Sequence, residues 1–120
     1  MVVERSAPFD RDVRRLIKRY RSLEQDLQTL QRVLIVRPNP PTSFSVELAG
    51  YGGVPKIVKV RKMACRSLPG RGAQSGLRVI YALGRSKLVL LELYIKSDQA
   101  HESEQRIRDA VRHWVESDSP

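Results

Sequence analysis

Apolar residues recur every three or four positions along two segments near the start of the chain, a spacing typical of amphipathic helices. One segment runs from Asp10 to Tyr20 and the other from Ser22 to Arg37, just before Pro38. The apolar positions are Val13, Leu16, Ile17 and Tyr20 in the first, and Leu23, Leu27, Leu30 and Leu34 in the second. Ser22 and Gln25 have the spacing of a capping box, which predicts a helix start. The two helices form either a hairpin or one long kinked helix, and we favour the hairpin.

The pattern changes to alternation of apolar and polar residues after the proline-rich connector at 38–43. Four segments are predicted to be strands because they alternate or are rich in Val, Ile, Leu and Tyr: Phe44–Leu48, Ile57–Lys62, Leu77–Leu83 and Lys87–Lys96. Gly84-Arg85-Ser86 is short enough for a hairpin loop, so the last two strands are expected to pair antiparallel. A further short strand is predicted from Val2 to Ala7, before Pro8.

A last helix is predicted to start at Ser103, a favourable capping residue. Its apolar positions, Ile107, Ala110, Val111, Trp114 and Val115, have helical spacing. The chain of 120 residues is short enough for one domain, 1–120. The predicted class is α+β: a small antiparallel sheet with an N-terminal helical hairpin and a C-terminal helix.

The net charge of +9 is confined to the middle of the chain. Residues 50–97 contain a single acid, Glu92, while the flanking segments are neutral. The ten basic residues there are Lys56, Lys59, Arg61, Lys62, Arg66, Arg71, Arg78, Arg85, Lys87 and Lys96. Such a patch favours a polyanion, above all a nucleic acid, over the alternative of a merely solubilising surface, in which the two signs would be interspersed.

Other features of the composition exclude several classes of protein. The single cysteine, Cys65, cannot form an intramolecular disulfide, and the start of the chain lacks the apolar run of a secretory signal. The longest apolar stretch ends at Glu92, far short of a membrane span. We therefore expect a cytoplasmic protein without a membrane segment. Two histidines and one cysteine far apart in sequence give no metal-ligand spacing, so no cofactor is expected.

Side chains alternate between the two faces of a strand, which predicts where the cations point. Val58 and Val60 share one face, and Lys59 and Arg61 the other. In the next strand Leu77, Val79, Tyr81 and Leu83 share a face. In the last strand one face is expected to carry Val89, Leu91, Leu93 and Ile95. Packing of these apolar sets on the helices would bring a charged set together on an open face of the sheet: Lys59, Arg61, Arg78, Glu92 and Lys96. Such cations could stabilise the extra charge of a pentacoordinate phosphorane, or could only bind RNA.

Three segments of the middle region carry a family resemblance: KIVKVRK at 56–62, GRGAQSGLRVIYAL at 70–83 and LLELYIKS at 90–97. The chain resembles RelE/HigB-type toxins of the RelE/ParE toxin–antitoxin superfamily. The resemblance implies a ribosome-dependent endoribonuclease that cuts messenger RNA without a metal, by attack of the 2′-hydroxyl on the phosphate. It also implies a cognate antitoxin protein that silences the toxin in a toxin–antitoxin complex.

The family's catalytic residues map onto Lys59 and Arg61 (its Lys-x-Arg), Arg78 before the Tyr-containing strand, and Lys96 after the following tyrosine. Four other basic residues, Lys56, Lys62, Arg71 and Arg85, are predicted to contact RNA. The chain departs from the family at Ala73, where relatives carry a lysine, and at Leu77, where they carry an aromatic residue.

Proton transfer has several candidates. Lys59 could act as a base only if neighbouring cations and burial lowered its pKa. Glu92 could accept the 2′-hydroxyl proton or, as we favour, orient an arginine. His101 has a suitable pKa, although a surface histidine without a role is the preferred reading.

Aromatic residues could also stack bases. Tyr81 and Trp114 are expected in the core, while the place of Tyr94 is open. Two further functions stay open as well: a ParE-like toxin that inhibits gyrase, and a nucleic-acid-binding relative without catalysis.

Overall fold

The computed structural model describes residues 1–67 and 76–115 of the chain. These ranges contain three helices and five strands, which confirms the predicted α+β class. In chain order the elements are β1 (Val2–Arg5), α1 (Ala7–Leu16), α2 (Leu23–Val36), β2 (Ser45–Glu47), β3 (Lys56–Val60), β4 (Leu77–Leu83), β5 (Lys87–Ile95) and α3 (Glu104–Arg112). No described helix is both long and apolar enough to span a bilayer.

The strands form one mixed sheet in the order β1-β5-β4-β3-β2. Strands β2 to β5 pair antiparallel as predicted, and β4 and β5 form the expected hairpin. β1 instead pairs parallel with β5, with Val2 opposite Lys87 and Arg5 opposite Leu90. Parallel pairing needs a long connection, and the chain provides one because α1, α2 and three strands lie between the two partners.

The first helix begins earlier than its apolar spacing predicts. Ser6 caps it, since the Phe9 N–H donates to Ser6 Oγ over 3.2 Å. Pro8 lies in the first turn, where its missing N–H has no intrahelical partner to lose. The helix ends at Leu16, and Tyr20 is buried in the turn that follows.

Ser22 precedes the second helix as predicted, but the capping box does not form. Its hydroxyl donates to Asp26 Oδ2 over 2.7 Å and makes no capping bond. Ser22 also makes three hydrogen bonds with Ser67, of 2.7 to 2.8 Å, which connect the start of α2 to the segment after β3. Residues 17–22 separate α1 from α2, so the segment forms two helices rather than one kinked helix.

Helices cover both faces of the sheet. The larger core lies between the sheet and the pair α1 and α2, and includes Phe9, Leu27 and Tyr81, all fully buried. The smaller core lies on the other face, where Ile107 of α3 packs in a cluster with Ile80. The expectation that this second face is open is therefore wrong, because α3 carries an apolar stripe that needs a surface to cover.

A β-bulge in β5 changes which residues face each core. Ile80 pairs with Glu92 but Tyr81 pairs with Leu90, so Leu91 is an extra residue in β5. The larger core consequently receives Leu88 and Leu90 before the bulge, and Leu93 and Ile95 after it. The predicted set of Val89, Leu91, Leu93 and Ile95 on one face is wrong, since one inserted residue inverts the alternation.

A buried carboxylate stabilises this bulge. β1 pairs only with the first part of β5, which leaves the rest of β5 as an edge. There the Leu93 N–H donates to Asp12 Oδ2 over 3.0 Å, and Arg106 Nη1 donates to the same oxygen over 2.6 Å. Arg106 also donates to the Leu91 carbonyl over 3.2 Å. These bonds connect α1, β5 and α3 at the bulge.

Candidate active site

Three of the four basic residues predicted to be catalytic lie at one end of the central strands. Arg61 follows the last residue of β3, Arg78 lies near the start of β4, and Lys96 follows the last residue of β5. Because β4 runs antiparallel to both neighbours, these three positions are at the same end of the sheet. Arg78 is directly opposite Tyr94 in the β4–β5 ladder.

The fourth residue, Lys59, lies within β3, two residues before Arg61, and it has an acidic partner that its sequence neighbourhood does not indicate. Lys59 Nζ donates to Glu102 Oε1 over 2.9 Å. The Tyr94 hydroxyl donates to the same carboxylate oxygen over 3.4 Å. An ammonium, a carboxylate and a phenol therefore meet on the α3 side of the sheet. The side chains of Lys59 and Glu102 are 17% and 21% exposed, so solvent reaches both.

The charges of this cluster stabilise one another. Burial alone would lower the pKa of Lys59, but its hydrogen bonds with Glu102 and Tyr94 outweigh burial and raise the pKa above the ordinary value for lysine. Burial also acts to raise the pKa of Glu102, but the hydrogen bond from Lys59 reverses this, so that pKa is lowered. Burial raises the pKa of Tyr94 despite the nearby Lys59. The pKa of Lys59 thus moves opposite to the direction that a general base requires, and Lys59 acts as a cation in this arrangement.

Glu92 has a different environment from the one the sequence suggested. It is 3% exposed, and it accepts hydrogen bonds from the Ser103 N–H and from Gln99 Nε2, each of 2.8 Å. Ser103 is the capping residue of α3, as predicted, and its hydroxyl accepts from the Arg106 N–H. Glu92 therefore fixes the segment that leads into α3, and its described hydrogen bonds are not to an arginine.

The residues predicted to contact RNA are spread over the molecule. Lys56 lies at the start of β3 and donates to Asn39 Oδ1 over 3.1 Å. It lines a shallow cavity of about 350 Å³ together with Arg85 of the β4–β5 loop. This cavity is at the opposite end of the sheet from Arg78. Lys62 borders a groove between α2 and the segment after β3, while Arg71 lies outside the described residues, as does Ala73.

The aromatic residues and the other singled-out positions differ in burial. Tyr81 is fully buried, as predicted, and its hydroxyl donates to the Pro38 carbonyl over 2.6 Å. Trp114 packs against the smaller core, with Lys87 Nζ 4.7 Å from its ring centroid. Leu77 is fully buried in the larger core. His101 is exposed and directly precedes Glu102.

Sequence reasoning missed Glu102 and left Tyr94 undecided. Tyr94 could have been placed by strand alternation, but the bulge at Leu91 makes the phase of β5 ambiguous. Glu102 lies in a loop outside the basic segment, 43 residues from Lys59, and no local pattern connects the two. The only sequence feature that could have drawn attention to Glu102 was its position just before the capping residue Ser103. Among residues 1–67 and 76–115, no group of three or more His, Cys, Asp or Glu side chains could hold a metal ion.

Comparison with known proteins gives a likeness of fold. No protein-family model matches the chain, and no curated protein matches its sequence. The structure is similar to a copper-bound point mutant of a toxin from Helicobacter pylori, with a TM-score of 0.51 and 16% identity over 82% of this chain and 98% of that one. A metal-bound toxin from the same organism has a TM-score of 0.47 and 21% identity over the same shares of the two chains. At such identity the first of these structures shows that the chain shares the fold of that toxin.

Proposed function

We propose that this protein is the toxin of a toxin–antitoxin pair and cleaves RNA. The observation that carries the proposal is the meeting of Lys59, Glu102 and Tyr94 on one side of the sheet, with Arg78 opposite Tyr94. A fixed cation, a carboxylate and a hydroxyl are the groups that a metal-free transfer at phosphorus uses.

The proposed reaction is attack by a 2′-hydroxyl on the adjacent phosphate. Lys59 and Arg78, with Arg61 and Lys96 at the nearby end of the sheet, would neutralise the charge that develops on the phosphorane. DNA would not be a substrate because it lacks the 2′-hydroxyl. The concentration of all of the net charge in residues 50–97 supports a polyanionic substrate.

The shared fold supports the choice of biological class. The Helicobacter pylori protein of similar fold is described as a toxin, and we carry that description over to this chain as part of the proposal. The partners that follow are a cognate antitoxin, the ribosome and its bound messenger RNA, which would place the protein in the cytoplasm. The sequence resemblance to RelE/HigB-type toxins leads to the same proposal.

A purified translation reaction tests the activity. Ribosomes carrying a defined messenger RNA are incubated with the protein, and the RNA ends are mapped by primer extension. We expect cuts within the translated region that end in a 2′,3′-cyclic phosphate, and none with Lys59→Ala. Intact RNA in every condition, alongside inhibited gyrase supercoiling, would replace this function with gyrase inhibition; intact RNA with active gyrase would leave a non-catalytic RNA-binding protein.

A further inference from the structure

The contact between Lys59 and Glu102 has a consequence for any phosphate that approaches the site. Glu102 Oε1 lies 2.9 Å from Lys59 Nζ and so takes up a direction in which that ammonium could bind an anion. A phosphate close to Lys59 competes with the carboxylate, because two anions next to each other in a partly buried site repel. Binding of substrate therefore favours separation of the ion pair.

We propose, on the basis of the function proposed above, that Glu102 is the proton acceptor of the cleavage reaction and that the substrate phosphate activates it by displacing it from Lys59. Paired with Lys59, the carboxylate is a weak base. Separated from Lys59 and beside a phosphate, it binds a proton more strongly. In the absence of RNA, the ion pair with Lys59 would thus keep Glu102 a weak base.

The position of Glu102 suits this role better than that of Glu92. Glu92 is buried, and both of its carboxylate oxygens accept hydrogen bonds from the segment before α3. Glu102 is part of the same segment, which these bonds fix in place, yet its own side chain is 21% exposed. A rigid backbone with an accessible carboxylate is the arrangement that proton abstraction from a bound ligand requires.

The proposed step balances in protons and bonds. The 2′-hydroxyl proton passes to Glu102 while the 2′-oxygen forms a bond to phosphorus. The bond from phosphorus to the 5′-oxygen breaks, and that oxygen takes a proton from the Lys59 ammonium. The products are a 2′,3′-cyclic phosphate and a 5′-hydroxyl. Transfer of the proton from Glu102 to Lys59, along the hydrogen bond that joins them in the free protein, then restores the starting state.

The test separates binding from cleavage in Glu102→Gln, with Glu104→Gln as the matched control. Glu104 is two residues away and pairs with Arg108 on the exposed surface of α3, so the control removes the same charge next to the site. Cleavage is measured on translating ribosomes. Binding is measured by fluorescence anisotropy with a short single-stranded 2′-fluoro RNA, which lacks the attacking hydroxyl.

For Glu102→Gln we expect cleavage about 100-fold slower or worse, with binding unchanged or up to about fivefold tighter because Lys59 is released. The control should match the wild type in both. Faster cleavage would show that Glu102 only competes with the phosphate for Lys59. Loss of binding together with cleavage would show that Glu102 only holds Lys59 in position. Either result overturns the proposal.

A second variant and the wild type complete the test. Glu102→Asp keeps a carboxylate, so it should retain more cleavage than Glu102→Gln. It also tests the role of the carboxylate in proton transfer where Glu102→Gln folds poorly. Equal activity of the two variants would contradict a role in proton transfer. A wild-type protein that does not cut RNA overturns the proposed function as well, whereas a cutting wild type with a fully active Glu102→Gln overturns only the role of Glu102.

Discussion

At the scale of single residues, the ion pair of Lys59 and Glu102 lies at the centre of the candidate site. The pair is partly buried, and each partner shifts the pKa of the other in the direction that favours the charged forms. Tyr94 adds a hydroxyl to the same carboxylate. Both ions are therefore present around neutral pH, and the pair should contribute a pH-dependent part of the stability.

The sign of that dependence follows from the two shifts. The lowered pKa of Glu102 stabilises the fold above its unfolded value of about 4.3, and this contribution is lost as pH falls through the folded value. The raised pKa of Lys59 contributes below about 10.4, and its contribution is lost as pH rises through the folded value. We expect Glu102→Gln to lower the free energy of unfolding by about 1 kcal/mol at pH 7, and by progressively less as the pH is lowered through the folded pKa of Glu102. Urea unfolding over a series of pH values from 7 downwards measures this, and a loss that stays the same down to the acid unfolding of the protein would contradict it.

Individual residues also show how far the sequence determines the site. Alternation along β3 was sufficient to place Lys59 on the side away from Val58 and Val60. It could not supply Glu102, because the loop before α3 meets β3 only through tertiary packing. A carboxylate far away in the sequence has no signature until the fold is known.

At the scale of elements, α3 and the bulge in β5 determine the shape of the site. The apolar periods of α2, α3 and β4 were sufficient to predict those elements, including the exact ends of β4. The bulge at Leu91 could not be predicted, because every residue from Leu88 to Leu91 is apolar and suits either face. The covering of the second face by α3 follows only from the three-dimensional arrangement.

Asp12 connects these elements and should be important for stability. Its carboxylate accepts from Arg106 and from the Leu93 N–H, so Asp12→Ala leaves two donors without their acceptor. We expect a loss of about 2–4 kcal/mol in the free energy of unfolding, below the full value for a buried pair because Arg106 is partly exposed. Chemical denaturation measures it.

Arg15→Ala is the matched control for this prediction. Arg15 approaches the same carboxylate from the exposed surface of α1, with a distance of 3.7 Å to Asp12 Oδ1. An exposed pair of this kind contributes about 0–1 kcal/mol. Similar losses for Asp12→Ala and Arg15→Ala would show that the bonds at the bulge are not the source of the stability.

At the scale of the whole molecule, the positive charge is concentrated along the sheet rather than at a single point. Arg61, Arg78 and Lys96 lie at one end of the central strands, and Lys56 and Arg85 at the other. The sequence predicted the concentration of charge in residues 50–97. It could not predict this division, which depends on strand direction. An RNA that contacts both groups must extend along the sheet.

Binding of RNA should therefore depend strongly on salt. With about three to four phosphate contacts on a single strand, affinity should fall by about twenty- to fiftyfold between 50 and 200 mM salt. Arg78→Ala should reduce the slope of log affinity against log salt by about 0.7. Arg14→Ala, on the exposed side of α1, removes the same charge on the face of the sheet opposite to α3 and should leave the slope unchanged. Affinity that does not vary with salt would contradict the phosphate contacts.

The most direct test of the proposed function is controlled expression of the protein in a bacterium, with growth recorded and messenger RNA 5′ ends mapped. Arg78→Ala and Arg14→Ala are expressed at the same level. Arg78 is partly exposed, and its described side-chain hydrogen bond is to the carbonyl of the adjacent Leu77, so Arg78→Ala removes no core side chain and should fold. We expect new 5′ ends inside translated regions and arrested growth with the wild type and Arg14→Ala, and neither with Arg78→Ala. New ends that persist in a folded Arg78→Ala protein, or arrested growth without any new ends, would contradict RNA cleavage by this site.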